Sequence, residues 1–407
     1  MGAEFQFKFN LGINFLGFFN TKMAYRPSRF STGSYENRRS KKHPAAPPPP
    51  CADNAGMTDH QPPFNVASTA VAVPRHVYET LTPDVVLDAL ASVGLLGDGR
   101  LTALSSYENR VYQVRLEGQG TDPGDTVVVK FYRPNRWTDA QIEEEHAFAA
   151  ELMAAEIPVV GAMVLDGRTL HHFDGFSFSV SPNRGGRRPE LDSPDVLEWI
   201  GRFLGRIHAV GGTQPFQQRP ALSLQTFGHD AGGILLAGDY LPLDMASRWR
   251  GAFDEAMQVA AGVFAQAGPV VQLRLHGDCH PGNILWTPEG MPGAGPHFVD
   301  LDDARTGPAV QDLWMLLSGD RAQCTRQLGA LVDGYEEFRD FDRRELALIE
   351  PLRTLRLVHY SAWLAQRWHD PIFPINFPWF GSSDYWKGQV DMLVEQTEAM
   401  QAAPLVV

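Results

Sequence analysis

Two motifs in the chain carry the residue types that move a phosphoryl group. The first, HGDCHPGN at 276–283, places Asp278 five residues before Asn283, and the second, FVDLDD at 298–303, contains Asp300. Phosphoryl transfer needs a divalent cation beside the phosphate oxygens and a carboxylate that orients the attacking hydroxyl. We expect Asp278 to accept or orient the hydroxyl proton, and Asn283 and Asp300 to bind Mg²⁺ through oxygen atoms. Both aspartates therefore count as catalytic in this prediction.

The spacing of the two motifs suits a hairpin, because Asp300 follows Asn283 after ILW, a turn and HFV. Two other interpretations stay open. Asp, Asn, Gly and Pro all favour turns, so the first motif would then be a polar turn without chemistry. His276, Asp278 and His280 alternate as the ligands of a transition-metal hydrolase would. No second cluster of His and Cys accompanies them, and this alternative leaves Asn283 without a role.

A lysine and a glutamate nearer the N-terminus are candidates for binding the nucleotide. Lys130 ends the β-branched run VVV. A lysine at that place can bond the α- and β-phosphates of ATP and pair with a glutamate of the next helix. Glu145 is the first candidate partner and Glu144 is the second. The alternative is a surface lysine beside a solvated acidic helix face.

The segment expected to cover the phosphates is SSYENRVYQV, which contains the turn between two predicted strands. It has no GxGxxG motif, and the chain has no Walker A motif. Ser105, Ser106 and Asn109 offer hydroxyl, amide and backbone N–H groups to phosphate oxygens. An ordinary hairpin turn, which Asn favours, remains the alternative.

The elements that must position these residues follow from the hydrophobic pattern. TPD at 82–84 begins a capped helix, RLTALSSYENRVYQVRLE and DTVVVKFYRP predict three strands, and Thr138 begins a long helix. VVGAMVL (159–165) and FSFSVSP (176–182) predict two further strands. Helical periodicity then dominates, interrupted by a loop-and-hairpin region at 273–304. The pattern predicts an α+β fold: a small antiparallel sheet with one main helix, followed by a larger helical lobe.

Bulk properties limit the function further. The net charge of −13 argues against a nucleic-acid binder held by phosphate contacts. Three cysteines, Cys51, Cys279 and Cys324, form no CxxC pair and predict a reducing, cytoplasmic compartment. No run of about 18 apolar residues occurs, so we expect no membrane span. Residues 1–70 include a proline-rich run and are expected to be a disordered tail or an extension upstream of the true start.

Several segments together resemble the aminoglycoside phosphotransferase-like branch of the protein-kinase-like superfamily, and within it a family of bacterial stress-response kinases. These segments are SYENRVYQV, VVKFYRPNRW, RLHGDCHPGNILW, FVDLDDARTGPAVQDLWMLLSGD and NFPWF. The resemblance covers roughly residues 70–400. It implies a bilobal kinase fold, with a nucleotide-covering N-lobe at 71–182 and a helical C-lobe at 183–401.

The resemblance also implies roles for particular residues. Asp278 falls on the catalytic aspartate, Asn283 and Asp300 on the magnesium ligands, Ser106 on an ATP contact, and His276 on a structural brace of the loop. The implied protein is a cytoplasmic, monomeric serine/threonine protein kinase of the stress response that uses ATP and Mg²⁺. The alternatives are a small-molecule hydroxyl kinase on the same fold, acting on an amino alcohol, sugar or antibiotic, and a non-enzymatic nucleotide-binding scaffold.

The second motif departs from the pattern of protein kinases. Leu301 and Asp302 stand where those enzymes carry Phe and Gly after the metal-binding aspartate. We expect Asp302 and Asp303 to cap a turn or contact substrate, rather than to join the metal ligands. Asp312, which the resemblance implies as a brace of the catalytic loop, follows Asp300 after only twelve residues. This spacing leaves no room for a long activation loop with a regulatory phosphosite.

Overall fold

A computed structural model describes residues 77–118 and 126–407, so the tail expected over 1–70 lies outside the described residues. The strands are β1 (Gly97–Leu104), β2 (Arg110–Leu116), β3 (Thr126–Phe131), β4 (His171–Phe173), β5 (Phe176–Pro182), β6 (Leu273–Leu275), β7 (Ile284–Thr287), β8 (Gly295–Phe298) and β9 (Arg305–Gly307). The α-helices are α1 (Pro83–Ser92), α2 (Asp139–Ala154), α3 (Pro194–Gly211), α4 (Asp230–Ala237), α5 (Leu243–Ala267), α6 (Val310–Trp314), α7 (Arg321–Glu336), α8 (Ile349–Arg367), α9 (Ile372–Asn376) and α10 (Ser383–Gln401).

The first lobe is built on an antiparallel sheet with the strand order β1-β2-β3-β5-β4. Side chains alternate between the two faces of β3, and Val127, Val129 and Phe131 are buried in a cluster that includes residues of α1. Lys130 has the opposite parity, so its side chain leaves the sheet on the other face. The alternation of this strand therefore directs the lysine away from the core of the lobe.

Helix α2 is the main helix of the first lobe. Its start is set by a capping box, in which Thr138 and Gln141 each accept the backbone N–H of the other. Glu145, Phe148 and Leu152 follow at helical spacing on one face, and all three are buried. The carboxylate of Glu145 is thus buried because it lies on the face of α2 that packs against the protein interior.

The strand predicted over 159–165 is wrong. The Val160 N–H donates to the carbonyl oxygen of Phe298 (3.0 Å), and the Met163 N–H donates to that of Val180 (2.7 Å). These two acceptors belong to different sheets, so the segment does not pair continuously with either one. It instead connects the sheet of the first lobe to the hairpin of β7 and β8. The sequence pattern also missed β4, which pairs with β5.

The second lobe is helical, and its core includes a close contact between α3 and α7. A Cβ at Gly334 of α7 would lie 2.0 Å from the carbonyl oxygen of Glu198 on α3, so glycine is required for this approach. The contact places Nδ1 of His208 on α3 3.1 Å from the hydroxyl of Tyr335 on α7. The sequence pattern missed the π-helical turn Leu224–His229 and helix α4, which follow α3.

Two short antiparallel pairs carry the two motifs. β7 pairs with β8, and β6 pairs with β9. The loop 276–283 joins β6 to β7, and Asp300 lies between β8 and β9, as the expected hairpin return requires. The two-lobed α+β architecture predicted from the sequence is confirmed. Within the described part of the chain, no helix is long and apolar enough to cross a membrane.

Candidate active site

The first motif forms a loop whose backbone is set by a glycine. Gly277 has φ +82°, and a Cβ there would lie 2.2 Å from the carbonyl oxygen of Asp303. An L side chain would therefore be both strained and in collision with the second motif. The two motifs approach each other at this point through their backbones.

Asp312 braces this loop, as the resemblance implied. Its two carboxylate oxygens accept the backbone N–H groups of His276 and Gly277, each at 2.9 Å. His208 Nε2 lies 3.0 Å from the same carboxylate, and the hydroxyl of Tyr335 lies on the other ring nitrogen. Asp312 and His208 are fully buried. Three side chains from three helices, Asp312, His208 and Tyr335, thus hold the start of the loop 276–283.

His276 has the structural position that was expected of it. Its ring Nε2 lies 3.0 Å from the carbonyl oxygen of Val299, the residue before Asp300, and its side chain is buried. His280, for which the sequence indicated no role, accepts the Gly282 N–H at Nδ1 (2.9 Å). The ring of His276 therefore links the loop to the second motif, and the ring of His280 bonds within the loop. No group of three or more His, Cys, Asp or Glu suited to a metal ion occurs within 77–118 and 126–407. The alternative of a transition-metal hydrolase gains no support.

Asp278 lies at the centre of the loop, with a side chain that is 19% exposed. Arg356 Nη2 is 2.6 Å from its Oδ1, while His280 Nε2 is 3.5 Å and Asn283 Nδ2 is 3.4 Å from its Oδ2. Burial alone would raise the pKa of this carboxyl, but the Arg356 guanidinium and the nearby His280 together outweigh burial and hold the pKa below its ordinary value. The carboxylate is therefore ionised at neutral pH.

Asn283 and Asp300 lie next to each other across the hairpin. The Val299 N–H donates to the carbonyl oxygen of Asn283 (3.0 Å), and Asp300 is the next residue along the chain. The side-chain Nδ2 of Asn283 donates to the carbonyl oxygen of Asp278 (3.0 Å), which leaves its side-chain oxygen as an acceptor. Asp300 has φ 61°, unusual for a non-glycine residue, and its side chain is 54% exposed. The structure thus brings together Asp278, Asn283 and Asp300.

Lys130 reaches the second motif from the sheet. Its Nζ lies 2.9 Å from Asp300 Oδ1 and 3.2 Å from Asp302 Oδ1. Burial alone would lower the pKa of the ammonium group, but Asp300, Asp302 and Glu145 together raise it well above the ordinary value of 10.5. The expected ion pair with Glu145 is not the one formed, because the two aspartates are the direct partners of the lysine.

Glu145 lies close enough to influence Lys130 without bonding to it. Its Oε2 is buried without a hydrogen bond and is 3.9 Å from a guanidinium nitrogen of Arg219. Burial raises the pKa of this carboxyl, against the lowering effects of Lys130 and Arg219. Glu144, the second candidate, instead accepts backbone N–H groups of residues 217–219. It therefore anchors a loop and is not among the ion-pair partners of Lys130.

Asp302 and Asp303 are bound by arginines, an environment that the sequence analysis did not anticipate. Arg136 bonds to both carboxylates, and Arg305 lies 2.6 Å from Asp303 Oδ1. Burial opposes ionisation, yet Arg136 and its neighbours lower the pKa of Asp302 to about 2 and that of Asp303 further. Arg219 donates to the backbone carbonyls of Asp302 and of the residue after Asp303. These arginines come from separate segments, and no local motif marks them.

The turn between β1 and β2 is tied to the helical lobe. Ser106 is half-buried in it. The carboxylate of Glu108 accepts from the indole N–H of Trp363 and lies 2.7 Å from Nε of Arg367, both on α8. The side-chain amide of Asn109 donates to Asp302 (3.2 Å). The turn therefore bonds to both motif-bearing and helical parts of the second lobe, and neither Glu108 nor its partners stood out in the sequence.

A two-lobed α+β fold, with an Asp-and-Asn loop facing a sheet lysine, defines a phosphotransferase of the protein-kinase-like class. The phosphotransferase enzyme family matches residues 100–349. Stress response kinase A of Escherichia coli (strain K12) is 46% identical over 328 residues, which cover 81% of this chain and 96% of that protein. Serine/threonine protein kinase RdoA of Salmonella typhimurium is 44% identical over the same shares. The chain therefore belongs to the phosphotransferase enzyme family and is a kinase of the stress response kinase A group.

Solved structures support the same fold at low identity. Amicoumacin kinase in complex with AMP-PNP, Ca²⁺ and amicoumacin is 18% identical, with a TM-score of 0.57, covering 78% of this chain and 93% of that one. A microcompartment-associated aminopropanol kinase is 16% identical, with a TM-score of 0.57 and coverages of 78% and 97%. At these identities, the likeness concerns the fold alone.

Proposed function

We propose that this kinase transfers the γ-phosphoryl group of ATP to serine or threonine hydroxyls of proteins, with Mg²⁺ as the cofactor. The observation that carries this proposal is the convergence of Asp278, Asn283, Asp300 and Lys130 from the two motifs and the sheet of the first lobe. Phosphoryl transfer needs a positioned carboxylate, ligands for a divalent cation and a phosphate-binding cation, and this set supplies all three.

The donor atoms around the two motifs fit Mg²⁺. The carboxylate of Asp300 is largely exposed, and the amide of Asn283 is turned so that its oxygen remains an acceptor. Mg²⁺ prefers oxygen ligands and is usually bound by one or two protein side chains together with water and substrate phosphates. These two residues would therefore hold the ion. When bound, it would neutralise charge on the β- and γ-phosphate oxygens.

Side chains of the protein carry out the other steps of the transfer. The acceptor oxygen bonds to the γ-phosphorus as the bond from that phosphorus to ADP breaks, and Asp278 receives the hydroxyl proton. Arg356 holds the Asp278 carboxylate in its ionised form until then. Lys130 binds the α- and β-phosphates after leaving Asp300, and Glu145, buried beside it without a hydrogen bond, becomes its partner. Ser106 contributes its hydroxyl or backbone N–H to the phosphates from the covering turn.

The choice of a protein acceptor rests on the relatives, since one that is 44% identical bears the name serine/threonine protein kinase RdoA. A role in the stress response rests on the name of stress response kinase A in the same way. We place the activity in the cytoplasm, because Cys279 and Cys324 are buried free thiols. The small-molecule kinases resemble this chain in fold only. The experiment must therefore also be able to detect a small hydroxyl compound as the acceptor.

The test is transfer from γ-labelled ATP to the proteins of a lysate. We expect Mg²⁺-dependent labelling of serine and threonine residues, reduced by a factor of about 10² or more in Asp278→Asn and Asp300→Asn. Asp98→Asn is the matched control, because that carboxylate bonds to the exposed Arg100 in the first lobe. Label found only in low-molecular-weight products would assign a metabolite kinase. Equal labelling by the two motif variants and the control would contradict the proposed roles.

A further inference from the structure

The residue bound to the catalytic carboxylate is an arginine that lies outside both motifs. Arg356 is on α8, and its Nη2 donates to Oδ1 of Asp278 at 2.6 Å. Its guanidinium is the strongest charge acting on that aspartate. The contact joins the loop between β6 and β7 to a helix 78 residues further along the chain. The arginine therefore lies beside the carboxylate that would receive the hydroxyl proton.

The guanidinium has donors left over after it bonds Asp278. A guanidinium carries five N–H donors in a fixed fork, and the Nε of Arg356 is buried without a hydrogen bond in this structure. The side chain is nevertheless 23% exposed, so part of it is accessible to a bound molecule. A buried cationic donor without an acceptor favours a carbonyl, carboxylate or phosphate oxygen on whatever binds beside it.

Apart from the proposed metal ligand Asp300, two further carboxylates of the site are already bonded to arginines. Asp303 is bound by Arg305 and Arg136, and Glu108 is bound by Arg367. None of these carboxylates is therefore free to bind an ammonium group on an acceptor. A cation next to the acceptor hydroxyl would instead meet the positive charge of Arg356 at close range.

We propose that Arg356 is a positioning residue for Asp278 and also selects the acceptor. It favours a hydroxyl whose neighbouring groups are neutral or acidic, and disfavours one flanked by a cation. The inference rests on the proposed function for the reaction and adds the class of acceptor. For a protein substrate, this means a serine or threonine without lysine or arginine beside it. An amino alcohol or aminoglycoside is excluded on the same ground.

The test uses full-length wild type, Arg356→Gln, Arg356→Lys and the control Arg353→Gln. Arg353 lies one turn earlier on α8 and pairs with Glu350 rather than with the catalytic loop. Each enzyme is assayed on peptides with a central serine flanked by Asp, Ala or Lys, on hydroxyl compounds bearing an ammonium or a carboxylate group, and on water as the acceptor. Thermal unfolding establishes that each variant is folded.

For the wild type and Arg353→Gln, we expect a preference in kcat/KM of about tenfold or more for Asp- or Ala-flanked over Lys-flanked serine. In Arg356→Gln the preference disappears and kcat on water also falls, because the base is no longer held. In Arg356→Lys the preference returns with the charge, while kcat recovers only in part, because the fork is lost. If Arg356 had only a structural role, its substitution would leave the ratio of kcat/KM values between the peptides unchanged.

Two results would overturn the inference: an unchanged peptide preference in a folded Arg356→Gln, or faster transfer by wild type to Lys-flanked serine or ammonium compounds. Failure of the proposed function looks different, since wild type would then label no peptide. In that case, the assays on the hydroxyl compounds test the role of Arg356. Transfer to the carboxylate-bearing compound that weakens in Arg356→Gln supports the role of the arginine, and its absence refutes that role.

Discussion

Glu345 gives a prediction in which the pH dependence can be worked out from the structure. Its side chain is buried, and its Oε2 accepts the N–H of Val310, the first residue of α6. Helix α6 carries Asp312, which holds the loop 276–283. Burial raises the pKa of Glu345 to about 7 from an ordinary value of 4.5. The perturbation is Glu345→Gln, which keeps an acceptor for Val310 and removes the titration.

The free energy of unfolding depends on pH because the folded and unfolded states bind different numbers of protons. Between pH 4.5 and about 7, the folded protein keeps a proton on Glu345 that the unfolded chain has lost, so the free energy of unfolding falls as pH rises. The contribution is complete below pH 4.5 and is lost by the time the pH has passed about 7. At about 1.4 kcal/mol for each pH unit, the rise from 4.5 to about 7 limits the effect to about 3 kcal/mol. The glutamine variant avoids this loss.

The assay is denaturant unfolding of both proteins from pH 5 to pH 8.5. We expect the free energy of unfolding of Glu345→Gln, minus that of wild type, to increase with pH and level off above about pH 7.5. Glu336→Gln is the control without a slope, because a hydrogen bond from Arg343 lowers the pKa of Glu336 below its ordinary value of 4.5, so that its difference from wild type should stay nearly constant across this pH range. A difference for Glu345→Gln that stays constant or decreases with pH would refute the argument.

Three further substitutions test the support of the site. Gly277→Ala should abolish activity and lower the melting temperature measured by calorimetry, because its Cβ would lie 2.2 Å from a carbonyl oxygen; wild-type activity would contradict the geometry. Asp312→Asn should cost about 2–3 kcal/mol in urea unfolding and lower kcat, since an amide cannot accept both N–H groups. Glu108→Gln should raise the KM for ATP several-fold in steady-state kinetics, because the turn between β1 and β2 loses its ion pair with Arg367. An unchanged KM would show that this ion pair does not position the turn for ATP.

The local parts of this protein could be predicted because they depend on neighbours in sequence. The alternation of β3 fixes the side on which Lys130 leaves the sheet, and the capping box of Thr138 fixes the start of α2. The hairpin of β7 and β8 brings Asn283 beside Asp300, since strands joined by a short turn pair with each other. The prediction of a strand over 159–165 was wrong because the hydrogen-bond partners of this segment are distant in sequence and lie in two different sheets.

The amino-acid sequence by itself was enough to predict the chemistry, through the residue types and spacing of its two motifs. Only the tertiary structure decided which charges face one another: Arg356 on Asp278, Asp300 and Asp302 on Lys130, and Arg367 on Glu108. Ion pairs between residues far apart in the chain follow no periodicity. They are set by how helices and sheets pack, and that packing becomes definite only when the whole chain has folded.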